Sequence, residues 1–181
     1  MTPERAAYHR LMLLAGLREE FDQELDHALE TEDPITQPIL DLAFCMSDPN
    51  QTLSVLYDYS LSHPVDDLQV YSMVMTELRR QYAANLLTPA QLVHIMYTIA
   101  QNHDDCFGGS WDQFRYPSYA YELLEDGLIS EEVFQIAFEA SFLHGQETDV
   151  WALEKEHRQT QKKKKPFLDF FRKRKEKEEL S

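Results

Sequence analysis

A chain of 181 residues with 43% hydrophobic content is long enough to bury the core of one domain and too apolar for wholesale disorder. Its formal net charge of −15 is unevenly spread: residues 1–161 hold 28 acidic and 8 basic groups, a net −20, whereas residues 162–181 hold 9 basic and 4 acidic groups, a net +5. The acidic body repels nucleic acid and anionic membranes and attracts basic proteins, and the tail does the opposite.

Five glycines and eight prolines, the prolines mostly at segment starts, suit helices joined by short turns. The spacing predicts an all-α chain: a compact bundle of about seven to eight helices, stacked as helical hairpins, with a flexible basic C-terminal tail. The acidic helical domain is expected over 1–161 and a disordered basic-aromatic tail over 162–181. Cys45 and Cys106 imply no disulfide framework, the first residues do not read as a secretion signal, and no apolar run reaches bilayer length. The expected location is the cytoplasm.

In chain order, most segments open on a capping residue followed by proline: Thr2-Pro3, Asp33-Pro34, Asp48-Pro49, His63-Pro64 and Thr88-Pro89. The Thr or Asp oxygen accepts from an orphan N–H of the first turn, and proline at the first position gives up no bond. At His63-Pro64 the better cap is Ser62. The first helix is expected from Pro3 to Leu29 on the stripe Leu11, Leu14, Leu17, Phe21, Leu25 and Leu29. A second, opening near Thr36, holds Ile39, Leu42, Ala43 and Met46. The third carries Leu53, Leu56, Tyr57 and Leu61, and the fourth Leu68, Tyr71, Met75, Leu78 and Tyr82. The fifth, with Leu92, Ile95, Met96 and Ile99, opens on a capping box of Thr88 and Gln91. After the irregular stretch 104–117, a sixth helix stops at Gly127. Ser130 caps a seventh with Val133, Phe134, Ala137, Phe138 and Leu143, closed by Gly145. Thr148 is expected to cap a last helix that runs into the tail.

Three places could carry function. On a helix running through residue 29, Glu19, Glu20, Asp22 and Glu24 form like-charge pairs three and four apart, which lower helix stability, and a basic partner would reward them. The alternative is a solvated acidic face, with Arg18 relieving part of the repulsion. The stretch from His103 to Asp112 contains Asp105, Phe107 and Trp111 beside a glycine pair, the mixture of a ligand loop. Its spacing supplies neither a calcium loop nor four zinc ligands, and its glycines do not precede a phosphate-binding turn. Phe107, Trp111 and Phe114 fit better as a cover over one end of the core. No cofactor or metal is expected. No histidine pairs with a serine or cysteine in a nucleophile motif, and His94 reads as a core histidine, so no catalytic residue is assigned.

The tail places Phe167, Phe170 and Phe171 between Lys163, Lys164 and their neighbours on one side and Arg172 and Arg174 on the other. That pattern suits an anionic membrane or nucleic acid, folding back on the acidic body, or plain solubilisation. The leading expectation is a non-catalytic interaction protein whose acidic domain binds a basic protein in an inhibitor, immunity-like or adaptor role. The alternative is a scaffold recruited through residues 162–175 to anionic membrane or nucleic acid.

Overall fold

The computed structural model describes residues 1–103, 111 and 114–162. Among them no strand forms, and nine α-helices follow one another: α1 (Pro3–Leu14), α2 (Glu19–Thr31), α3 (Gln37–Cys45), α4 (Pro49–Leu61), α5 (Asp67–Ala83), α6 (Pro89–Asn102), α7 (Tyr116–Glu125), α8 (Glu131–His144) and α9 (150–162). They fall into two compact units that divide between Ser118 and Tyr119. No helix among the described residues is long and apolar enough to cross a membrane.

Local chemistry sets most of the helix starts. The Thr2 hydroxyl accepts from the Arg5 N–H, Asp48 from those of Asn50 and Gln51, and Ser130 from that of Val133. Thr88 and Gln91 close a complete capping box. Thr36 precedes α3, with proline in its first turn, and no helix opens at Asp33-Pro34. Two caps differ from expectation. Ser62 closes α4, and α5 opens on Asp66, whose carboxylate accepts from Leu68 and Gln69, because Pro64 falls in the connection. At α9 the carboxylate that accepts from a first-turn N–H, that of Ala152, belongs to Asp149.

The largest departure is at the N-terminus, where the expected single helix from Pro3 to Leu29 is two. Gly16 sits at φ +82°, its N–H donates to Leu13 O at 3.0 Å, and that of Leu17 donates to Met12 O at 2.8 Å. This pair of bonds around a left-handed residue ends α1. Leu11, Leu14 and Leu17 keep helical spacing through the turn, which is why periodicity ran past it. A Cβ at Gly16 would meet nothing within 4 Å, so Gly16→Ala isolates the backbone strain. We expect it to destabilise the protein by about 1 kcal/mol in denaturant titration. An unchanged midpoint would mean that the turn is not what holds the break.

In the first unit α1 packs against α4, α5 and α6, while α3 packs against α2 and α4. Ala6, Phe21, Leu25, Ile39, Leu42 and Leu56 form one buried cluster. On α5 the inward stripe is Val70, Val74, Met75 and Leu78. Leu68, expected inside, is exposed, because the start at Asp66 leaves it in the first turn on the outer side. Leu61 at the end of α4 and Met46 beyond α3 are exposed for the same kind of reason, and on α8 Phe142 takes the place expected of Leu143. In the second unit the rings of Tyr121, Phe134, Phe138 and Phe142 follow one another at centroid spacings of 5.6, 5.9 and 5.2 Å. Glu154 of α9 accepts from the Ser130 N–H at 2.9 Å, and Arg158 donates to Leu128 O at 3.0 Å. These bonds tie α9 to the start of α8, where a carboxylate is favoured by the helix dipole.

Candidate functional site

The turn at Gly16 changes the meaning of the four carboxylates at the start of α2. With the helix beginning at Glu19, three of them, Glu19, Glu20 and Asp22, lie in its first turn, where the dipole stabilises acids. Their placement is therefore consistent with helix stability, contrary to the expectation drawn from a longer helix.

The same turn brings Glu20 and Glu24 to α1. Arg5 Nη2 donates to Glu20 Oε1 at 2.9 Å and Arg5 Nε to Glu24 Oε2 at 3.0 Å, while the Tyr8 hydroxyl donates to the other Glu20 oxygen. His9 is fully buried, and its Nε2 donates to Glu24 Oε2 at 2.9 Å. Its Nδ1 is also buried and makes no hydrogen bond. His9 packs edge-on against Phe21 at 5.4 Å and beside Tyr8 at 5.1 Å, so the polar cluster borders the apolar core.

These contacts fix the charge states. Burial acts to raise the Glu24 carboxyl, but the hydrogen bonds and charges of His9 and Arg5 outweigh it and hold its pKa at about 2. Burial, followed by the bond to Glu20, pushes the Tyr8 phenol well above its ordinary range, so Tyr8 is a fixed donor. Burial works against the Arg5 guanidinium, yet Glu24 and Glu20 raise it further above its usual value. The result is a closed ion network with each charge opposed.

A cleft of about 880 Å³ lies beside this network, lined among others by Tyr8, His9, Arg18, Glu20, Glu77 and Arg80. Apart from Glu19, its carboxylates are also matched internally. Arg80 Nη2 donates to Glu77 Oε1 at 2.6 Å, and Arg18 donates to both Asp22 oxygens at 2.9 Å and to Met46 O at 2.7 Å. Arg18 thus relieves Asp22 as the sequence suggested. Of the four acidic residues, Glu20 and Glu24 face their own arginine, Asp22 is paired, and Glu19 is exposed with no ion pair among the described residues, accepting from Gln23. The outward stripe of α2 runs instead through Glu19, Gln23, Asp26 and Glu30.

The second candidate region is described only in part; Asp105 and Phe107 lie outside the described residues. Trp111 is 3% exposed and Phe114 is fully buried. The Trp111 indole N–H donates to Asp67 Oδ2 at 2.9 Å, and the His103 ring donates to the other Asp67 oxygen at 2.7 Å. His103 stacks on Trp111 at 4.4 Å, and Tyr71 meets it edge-on at 5.2 Å. Trp111 is thus an anchor locked to α5 and the end of α6. His94, expected in the core, is exposed on the outer face of α6, because Leu92, Val93, Ile95 and Met96 take the inward positions. The buried histidine is His9, whose position between Tyr8 and Arg10 gave no signal in the sequence.

Among the described residues, no group of three or more His, Cys, Asp or Glu side chains is placed to hold a metal ion. The tail candidates Lys163, Lys164, Phe167, Phe170, Phe171, Arg172 and Arg174 lie outside the described residues. No family model matches the chain, and no curated protein or solved structure is similar to it.

Proposed function

We propose that the chain is a non-catalytic interaction protein whose acidic helical surface binds a basic protein partner, as an inhibitor, immunity-like protein or adaptor does. One observation carries this reading: the 60 residues from Glu19 to Leu78 contain 14 carboxylates and not one lysine or arginine. Those residues make up α2, α3, α4 and most of α5. The arginines that oppose Glu20, Glu24, Asp22 and Glu77 come from outside that stretch, and seven of its other carboxylates, Glu19, Asp26, Glu30, Asp33, Asp41, Asp58 and Asp66, are exposed and form no ion pair among the described residues. Such a field speeds encounter with a basic surface and disfavours acidic ones. Asp26 and Glu30 add to it near the C-terminal end of α2, where the helix dipole works against them.

The recognition face rests on the outward carboxylates Glu19, Asp26 and Glu30. Reversing these three to lysine is expected to slow association with the captured basic partner by about tenfold at low salt, and by much less in about 0.5 M salt. Stopped-flow or surface-plasmon kinetics read this directly, and an unchanged association rate would remove α2 from the interface. A matching reversal at Glu20 and Glu24 would instead unsettle the fold, because it places lysines against Arg5.

The recruited-scaffold alternative draws on the composition of residues 162–175 alone. Truncation after residue 161 distinguishes it: loss of binding or recruitment would assign function to the tail.

A further inference from the structure

On α3, Ile39, Leu42 and Cys45 take the inward positions, and this phase turns Gln37, Asp41 and Phe44 outward. Phe44 is 86% exposed, more than any other large apolar side chain among the described residues. Beside it runs a groove of about 370 Å³ between α3 and α4, lined by Asp41, Phe44, Cys45, Gln51, Ser54 and Val55. The outward stripe of α4 continues from Gln51 and Ser54 to Asp58. Asp41 accepts from Gln37 at 2.7 Å and Asp48 from the first turn of α4, so the polar groups here are oriented by their own helices. Arg18 reaches this end of α3 only through the Met46 carbonyl, and it is already committed to Asp22.

We infer that the α3–α4 groove around Phe44 is the docking point for a basic segment of the partner protein, one that sets an apolar side chain against Phe44 and lysines or arginines against Asp41 and Asp58. This rests on the acidic-surface function proposed above and gives it an address. Charge complementarity selects the occupant: α3 and α4 hold no lysine or arginine, so a cation that answers Asp41 and Asp58 comes from outside them. The aromatic supplies what charge alone does not. An exposed Phe ring rimmed by polar groups is the composition of an interface anchor, where burial of the ring slows dissociation while the surrounding carboxylates steer approach.

The test uses the full-length protein and two synthetic helical peptides of equal positive charge, one carrying lysine and leucine at helical spacing and the other serine in place of leucine. Amide chemical shifts are followed in wild type and in Phe44→Ser, whose exposed position leaves the fold intact. The lysine–leucine peptide is expected to bind at least about tenfold more tightly than the lysine–serine one, with shifts centred on Asp41, Phe44, Gln51 and Ser54. Phe44→Ser is expected to abolish that preference without moving the melting temperature. Equal binding of the two peptides, or an unchanged preference in Phe44→Ser, would overturn the Phe44 address and leave the acidic-surface function standing. Failure of wild type to bind either peptide at low salt would overturn both. Concentration-dependent self-association that Phe44→Ser removes would overturn the proposal by assigning the groove to a second copy of this chain.

Discussion

Replacing Glu24 by alanine is expected to lower the stability of the protein at neutral pH by about 2–3 kcal/mol. Glu24 accepts from Arg5 and from the buried His9 at once, and no other described carboxylate bonds His9. Alanine would leave the His9 ring, bordered by Phe21 and Tyr8, with both nitrogens unpaired, and would leave Arg5 with Glu20 alone. The figure is set below that of a fully buried pair because the Glu24 side chain remains 31% exposed and water screens part of the charge. The pH dependence has a definite sign. The Glu24 carboxyl is lowered in the folded protein from 4.5 to about 2, so its contribution is complete above pH 4.5 and is lost as the pH falls towards 2. Wild type and Glu24→Ala are therefore expected to converge in stability over that interval. Denaturant titrations at several pH values check this, and a gap that persists undiminished at pH 2 would show that the ion network is not its source.

Trp111→Ala is expected to be the more damaging substitution, at about 3–5 kcal/mol. The indole is 3% exposed, contacts the rings of Tyr71, His103 and Phe114, and donates to Asp67. Its removal opens a large cavity at the junction of α5 and α6 and frees the carboxylate that also holds His103. Trp111→Phe separates the two effects: the ring contacts are largely kept and the Asp67 bond is lost, so about 1 kcal/mol is expected. Equal losses for the two variants would mean that the hydrogen bond, and not packing, is what matters. Trp151, the other tryptophan, is half exposed, so the fluorescence change on unfolding reports chiefly on Trp111.

Helix identity was legible because it is written in short-range chemistry. Thr2, Asp48, Thr88 and Ser130 cap where a side-chain oxygen precedes a proline or an acidic first turn, and Gly127 and Gly145 end helices in the left-handed region. Gly16 does the same, but it lies inside an apolar repeat that continues in phase on both sides, so the stronger signal hid the weaker one. The turn at Gly16 decides more than where α1 ends. Without the turn, Glu20 and Glu24 lie 15 and 19 residues from Arg5 on one straight rod, and no spacing rule brings them together. With it, they close a network on Arg5, Tyr8 and His9, and two of the four predicted partner contacts become internal ones. Facing was also underdetermined on α5, where Leu68 and Tyr71 compete with Val70 and Val74 for the inward side and only packing decides. The exposure of Phe44 follows from the same kind of choice, since Leu42 and Cys45 hold the inward phase of α3.

The measurement that bears most directly on the acidic surface is affinity capture from lysate of the source cell, with full-length protein and a 1–161 truncation, each at low and high salt. A basic protein retained equally by both forms and released at high salt is the predicted result. Capture that requires residues 162–181, or that persists unchanged at high salt, would contradict it.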